Sequence, residues 1–229
     1  MSAEAAAQPT PPDADAGPEL RAALLDTMRA MGTTGLNVGS AGNASVRLPS
    51  PAGMLITPSG LPAERCRPED MAVVDTDGNW RGLFAPSSEW QLHRDIYAAF
   101  PAAGAILHAH APFATALACQ RLDIPPFHYM IARFGGSTVR CARYATFGTQ
   151  ALSDAAVAAL HQRSACLLAN HGMVVFGREL QHALALAIEF ETLCEQYWRT
   201  LQLGPPVLLS TEEMAEVIER FRWYGKPRG

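Results

Sequence analysis

Two histidines one residue apart, in the run Ile106-Leu107-His108-Ala109-His110, have the spacing in this chain best suited to chemistry. The run is apolar and strand-like. Side chains two apart on a strand point to the same face, so two imidazoles there can close on one metal ion at about 2.0 to 2.1 Å. Alternatively the two are accidental neighbours at a wet strand end. His171, in Ala169-Asn170-His171-Gly172, is the candidate third ligand. By itself it reads as a turn residue, with Gly172 letting the backbone turn sharply. Together with His108 and His110 it completes three neutral imidazoles that leave one position of a tetrahedral ion open, which is the arrangement of a catalytic site.

Glu89 is the carboxylate best placed to join them, although a glutamate at a helix start also simply complements the helix dipole. Ser87 would ordinarily be a helix N-cap and Ser88 a first-turn residue; two hydroxyls and free N–H groups at a helix start also form an anion cradle suited to phosphate. Asn43, between Gly42 and Ala44, and Ser59-Gly60 after Pro58 add donors on two further loops. Taken together these loops point to a phosphorylated substrate. The remaining histidines read differently. His93 shares a helical stripe with Trp90 and Ile96 and is expected to be a hydrogen-bonded core histidine, while His161 and His182 fall on polar helical positions.

These residues need elements to position them. With 229 residues, 48% hydrophobic and 17% charged, the chain suits one well-buried globular domain. A net charge of -4 without any Lys/Arg-rich run argues against nucleic acid or an anionic membrane as partner. The five cysteines are scattered and odd in number, which suits buried thiols in a reducing compartment and leaves metal binding to histidine. No stretch approaches a membrane span and no signal-peptide pattern opens the chain, so the expected location is cytoplasmic. Residues 1–18, rich in Ala, Pro and acidic side chains, cannot bury enough surface to order themselves; a disordered tail is expected there, with the domain over 19–229.

Periodicity predicts a helix with Leu20, Leu24, Met28 and Met31 on one face. Short strands follow at 44–48, 54–57 and 71–75, and a helix begins after Pro86-Ser87-Ser88-Glu89. A strand over 105–110 carries the histidine pair. Helices follow over 112–119 and 149–161, strands over 166–169 and 173–176, and a long helix from Leu180 to about Leu201. Ser210 and Glu213 form a capping box before a last helix. The class is α/β, or α+β-like, in a single layered domain.

With these elements in place, Gly35-Leu36-Asn37 to Arg47, Met54 to Gly60, Pro86 to Trp90, His108-Ala109-His110, His128 to Ala132, Tyr144 to Thr149 and His171-Gly172 resemble the class II aldolase/adducin family, in order and with nearly constant spacing from about residue 20 to Tyr224. The resemblance implies a three-layer domain, with a central, mainly antiparallel sheet flanked by helices and assembled as a homotetramer with active sites at subunit interfaces. It implies Zn2+, one per subunit, on His108, His110 and His171, with Glu89 as a fourth ligand at rest or as the base; imidazole ligands also suit another divalent ion. It places the substrate phosphate on Asn43, Ser59, Gly60, Ser87 and Ser88. Tyr129 would reach in from a neighbouring subunit as the acid that handles the aldehyde oxygen, and Tyr224 would line the same pocket. The implied reaction is cleavage of a ketose 1-phosphate such as L-fuculose 1-phosphate to dihydroxyacetone phosphate and a small aldehyde such as lactaldehyde. No Schiff-base lysine is needed, and the only lysine, Lys226, stands outside every motif.

The chain departs from the family pattern at Ala109, where asparagine is expected, and at Asn170, where the aldolases have another histidine. Arg133 and Phe134 are bulkier than expected; they either alter preference at the aldehyde end or pack at the subunit interface. Within the family, pentulose-phosphate 4-epimerases carry aspartate where this chain has Glu89, which favours an aldolase. Sugar-acid phosphate decarboxylases and dehydratases are further alternatives, and an adducin-like binding module lacks the metal site whose three histidines are present here. Cupins usually place a carboxylate soon after His-x-His, whereas Ala111-Pro112-Phe113 follows here. Barrel-type metal hydrolases put the pair early in a longer chain.

Overall fold

The computed structural model describes residues 16–48, 53–221 and 223. Helix α1 (Pro18–Thr33) is followed by β1 (Asn43–Leu48), β2 (Gly53–Ile56), β3 (Ala72–Asp75), β4 (Trp80–Arg81), α2 (Trp90–Ala99), β5 (Ala105–Ala109) and α3 (Pro112–Ala118). Then come β6 (Cys141–Ala142), α4 (Gln150–Ala159), β7 (Ala165–Leu168), β8 (Gly172–Gly177), α5 (Leu180–Leu203) and α6 (Thr211–Phe221), with 3-10 turns at Pro68–Asp70 and Tyr129–Phe134. The strands form one eight-stranded sheet in the order β4-β3-β2-β1-β5-β8-β7-β6. Every pairing is antiparallel except β6 with β7.

Strand alternation sorts the core into two layers. Ala44, Val46, Leu107 and Val175 face one side with Leu24 of α1, Leu117 of α3, Phe190 of α5 and Met214 of α6. Met54, Ile106, Cys166 and Val174 face the other with Leu92 and Ile96 of α2 and Leu152 and Ala156 of α4. This is the three-layer architecture expected from the sequence.

Several local expectations fare well. Ser210 Oγ accepts from the Glu213 N–H (3.1 Å) while Glu213 Oε2 accepts from the Ser210 N–H (2.7 Å), a complete capping box. Thr149 caps α4 through the Leu152 N–H. At the N-terminus the expected boundary shifts. Pro18 rather than Glu19 opens α1, because its fixed φ suits a first helical position, and Ala16 is buried with its carbonyl accepting from Arg21 Nε. Residues 16–18 of the expected tail thus pack with the domain, and the rest of that tail lies outside the described residues. Cys66, Cys166 and Cys194 are buried as anticipated, whereas Cys119 is exposed. Among the described residues, no helix is long and apolar enough to cross a membrane.

One carboxylate ties the helical layer behind the histidine strand. Glu191 of α5 accepts from the backbone N–H groups of Phe113 (2.7 Å) and Ala114 (2.9 Å), so it supplies the cap that Ala111 cannot. Glu191→Ala is expected to cost about 1 to 2 kcal/mol, measured as a lowered midpoint in urea or thermal unfolding. An unchanged midpoint would show that water caps α3 equally well.

Candidate active site

The histidine strand ends where four elements meet. His108, on β5, is fully buried, and its Nδ1–H donates to the Met173 carbonyl on β8 (2.9 Å). That bond fixes the ring and turns Nε2 towards the site, as an outer partner does for a metal-binding imidazole. His110 lies one residue beyond the strand, at the surface, and its backbone N–H donates to Asn37 Oδ1 (3.2 Å). His171 occupies the β7–β8 turn, which Asn170 allows by taking a left-handed conformation (φ +54°). Gly172 therefore is not the turning residue expected from the sequence. It is needed because any side chain there would drive into the Ala109 carbonyl across the β5–β8 pairing.

The three rings pack edge to face, with centroids 4.7 to 4.9 Å apart. Their ligand nitrogens lie within 4.8 Å of one another, and the Nε2 atoms of His108 and His110 are 3.1 Å apart. Glu89, in the loop that opens α2, closes the group. Its Oε2 is 3.1 Å from His108 Nε2, and its Oε1 is 3.5 Å from His171 Nε2. Oε1 is buried and has no hydrogen-bond partner. Nitrogen lone pairs and an orphaned carboxylate oxygen converging on one point suit a cation, since tetrahedral ligation would set neighbouring ligand atoms roughly 3.3 Å apart. The donor set fits a divalent metal.

Electrostatics agree with this role. Burial would raise the Glu89 pKa, but the hydrogen bond and charge of His108, with help from His171 and Asn43, outweigh it and hold the carboxyl down to about 2. Burial, with the charge of His108, lowers His171 to about 4 and depresses His110 as well. Both rings are thus neutral near pH 7 and offer lone pairs.

The expected phosphate residues also come together. The Ser59 N–H donates to the Ala85 carbonyl and the Ser87 N–H to the Thr57 carbonyl, each at 3.0 Å, zipping the 57–60 loop to the 85–88 loop. Ser59, Gly60, Ser87 and Ser88 thereby line one cleft of about 340 Å³ with Asn43, Glu89, His110 and His171. Asn43 enters this cleft with its side-chain amide already engaged: Nδ2 donates to Glu89 Oε2 (3.0 Å), and Oδ1 lies 2.5 Å from His93 Nε2. It supports the carboxylate rather than standing free for phosphate. The rim is made by Tyr144, Ala145, Phe147 and Asn170, which lie in segments that carry the resemblance or depart from it but which the sequence did not mark as site residues.

Tyr129 does not line this cleft within the chain. It opens the second 3-10 turn, half-exposed, with its ring stacked on Phe221 of α6 (centroids 6.4 Å apart). Tyr224 lies outside the described residues. Of the two bulky residues beyond Tyr129, Phe134 turns out to be a core residue against Phe190 (5.2 Å), and Arg133 pairs with Glu189 at 3.8 Å. Phe134 thus belongs neither to an aldehyde pocket nor to an interface, because a fully buried ring fills the subunit's own interior. His93 is buried and hydrogen-bonded, as its helical stripe predicts.

A three-layer fold with three imidazoles and a glutamate beside a serine-lined cleft defines a class of protein. The sequence pattern described as the Class II Aldolase and Adducin N-terminal domain matches residues 22–198, and the chain belongs to this family. It is a class II aldolase, a lyase. The 5-methylthioribulose-1-phosphate/5-deoxyribulose-1-phosphate aldolase of Rhodospirillum rubrum is 53% identical over 206 residues, 90% of this chain and 92% of that protein. The L-fuculose phosphate aldolase of Escherichia coli K12 is 44% identical over 203 residues, 88% of this chain and 94% of its own. A solved structure of an L-fuculose 1-phosphate aldolase superposes with a TM-score of 0.86 at 37% identity, covering 93% of this chain and 98% of that one. Class II aldolases are metal-dependent, in keeping with a histidine triad that could hold an ion.

Proposed function

We propose that this aldolase is zinc-dependent and cleaves a small ketose 1-phosphate between C3 and C4 to dihydroxyacetone phosphate and an aldehyde. The observation that carries the proposal is the Glu89 carboxylate set against three converging imidazoles at the floor of the serine-lined cleft. A divalent cation on His108, His110 and His171 supplies Lewis-acid stabilisation of the negative charge that develops on the dihydroxyacetone phosphate half. The residues of the chain do the rest. Ser59, Gly60, Ser87 and Ser88 bind the phosphate and fix C3 beside Glu89. In synthesis, the Glu89 carboxylate takes the C3 proton of the dihydroxyacetone phosphate half, and the Tyr129 phenol of a neighbouring subunit gives its proton to the C4 oxygen as the C3–C4 bond forms; cleavage runs the same transfers in reverse. The half-exposed position of Tyr129, away from Glu89 of its own chain, supports a homotetramer in which each active site draws on two subunits.

L-Fuculose 1-phosphate is one substrate of this type. The relative at 53% identity supports 5-deoxyribulose 1-phosphate and 5-methylthioribulose 1-phosphate as well, and the aromatic rim of Tyr144 and Phe147 suits their apolar ends. The test is release of dihydroxyacetone phosphate from these three compounds, with metal analysis of the same preparation. Release from at least one is expected. Bound metal without release from any, but with epimerisation at C4, would overturn the aldolase. Mixed oligomers of Glu89→Gln and Tyr129→Phe subunits are expected to recover activity that neither variant has alone, since some sites then combine an intact Glu89 with an intact Tyr129. No recovery would count against a shared site.

A further inference from the structure

Behind Glu89, four polar side chains form one buried line between β1 and α2. Asn43 Nδ2 meets Glu89 Oε2 at 3.0 Å, and Asn43 Oδ1 meets His93 Nε2 at 2.5 Å. His93 Nδ1 meets Ser45 Oγ at 2.7 Å, and Ser45 Oγ meets the Tyr97 hydroxyl at 2.8 Å. Asn43, Ser45, His93 and Tyr97 are all buried, so water cannot substitute for any of them.

The direction of every bond follows from one end. An ionised carboxylate only accepts, so Asn43 must present its NH2 to Glu89 and its oxygen to His93. His93 must then carry its proton on Nε2, which leaves Nδ1 to accept from the Ser45 hydroxyl, and Ser45 Oγ to accept from Tyr97. The other tautomer would reverse the asparagine amide and set its oxygen against the carboxylate.

The geometry points to His93 as a positioning residue: its Nε2–H tautomer, held by Ser45 and Tyr97, fixes the Asn43 amide and through it aims the Glu89 carboxylate at the reacting carbon. The anchoring is one-sided. Oε2 takes the asparagine bond while Oε1 is left without a hydrogen bond, 3.5 Å from His171 Nε2 at the cleft. His93 sits one helical turn after Glu89, so α2 carries both the carboxylate and the group that orients it. Arg47 locks the far end, with its guanidinium 4.7 Å from the Tyr97 ring centroid and bonded to the Tyr97, Phe100 and Ala103 carbonyls at the end of α2.

This inference rests on Glu89 being the base, and the test separates the two. The assay is exchange of the C3 proton of dihydroxyacetone phosphate with deuterated water by the metal-loaded protein, run beside metal content, thermal midpoint and 15N-histidine NMR. His93→Leu is expected to lower the exchange kcat roughly 10- to 100-fold through misplacement of the carboxylate, with KM and bound metal unchanged. His93→Gln, whose amide offers one donor and one acceptor, is expected to restore most of that loss. The NMR spectrum is expected to show His93 protonated on Nε2 only. Wild-type exchange in His93→Leu, failure of His93→Gln to restore exchange, or a proton on Nδ1 would each overturn the inference. If His93→Leu does not fold, Ser45→Ala takes its place, and an unchanged kcat there would have the same effect. Glu89→Gln marks the other case: wild-type exchange in that variant would remove the base itself and this inference with it, whereas loss of exchange there beside full exchange in His93→Leu would remove the inference alone.

Discussion

Replacing Glu89 by Gln is expected to lower aldol cleavage roughly 100- to 10,000-fold, the range in which a positioned general acid–base group contributes to a rate. The change keeps the side chain's size, so α2 and the serine loops should fold as before. What it removes is the ability to take or give a proton at C3. The bond to Asn43 must also reorganise, because an amide placed against the Asn43 NH2 accepts with one atom only. Three imidazoles remain to hold an ion, so the variant is expected to bind metal while failing in turnover, a combination that separates proton transfer from metal loss. The measurement is kcat for dihydroxyacetone phosphate release, with metal content on the same sample. Full activity would show that Glu89 merely complements the start of a helix.

His171→Ala carries the second large effect. His108 is fully buried and bonded to the Met173 carbonyl, so its loss would disturb the fold along with any metal site. His171 lies in a turn at the cleft and is the cleaner deletion. Removing it leaves two imidazoles and the carboxylate. Bound metal is expected to fall from one equivalent per chain to a small fraction, and cleavage with it. Stability offers an independent readout: a ligand held only by the folded state at about 1,000 times its Kd adds about 4 kcal/mol. A chelator is therefore expected to lower the thermal midpoint of the wild-type protein and to leave that of His171→Ala unmoved. Equal responses in both proteins would place the ion elsewhere.

How much of the site was legible from the chain depends on how local each feature is. The His-x-His pair follows from strand alternation, and the capping box at Ser210 and Glu213 from a three-residue spacing; both are found in the structure, with His110 one residue past the end of β5. The short strands β4 and β6 escape notice because two residues carry no period. The burial of Phe134 is not legible from the chain, because nothing in its neighbours announces that the 3-10 turn packs it against Phe190 of α5.

The sequence alone determined which residue types were available and which face of each element would be apolar. In β1, Ala44, Val46 and Leu48 alternate with Asn43, Ser45 and Arg47, and that pattern taken locally means one buried face and one wet face. Only the tertiary structure decided that α2 would cover the polar face. That closure converts Asn43 and Ser45 from surface groups into a buried line behind Glu89, and it gives His93, a core histidine by its helical stripe, a direction to point. The same holds for the ligands. His171 and Glu89 reach His108 because β8 pairs with β5, and because β1 sets Asn43 beside His108. Periodicity sets a side chain's face within a few residues. Which distant element meets that face is settled by long-range pairing and burial, and the chemistry of this site lies in those meetings.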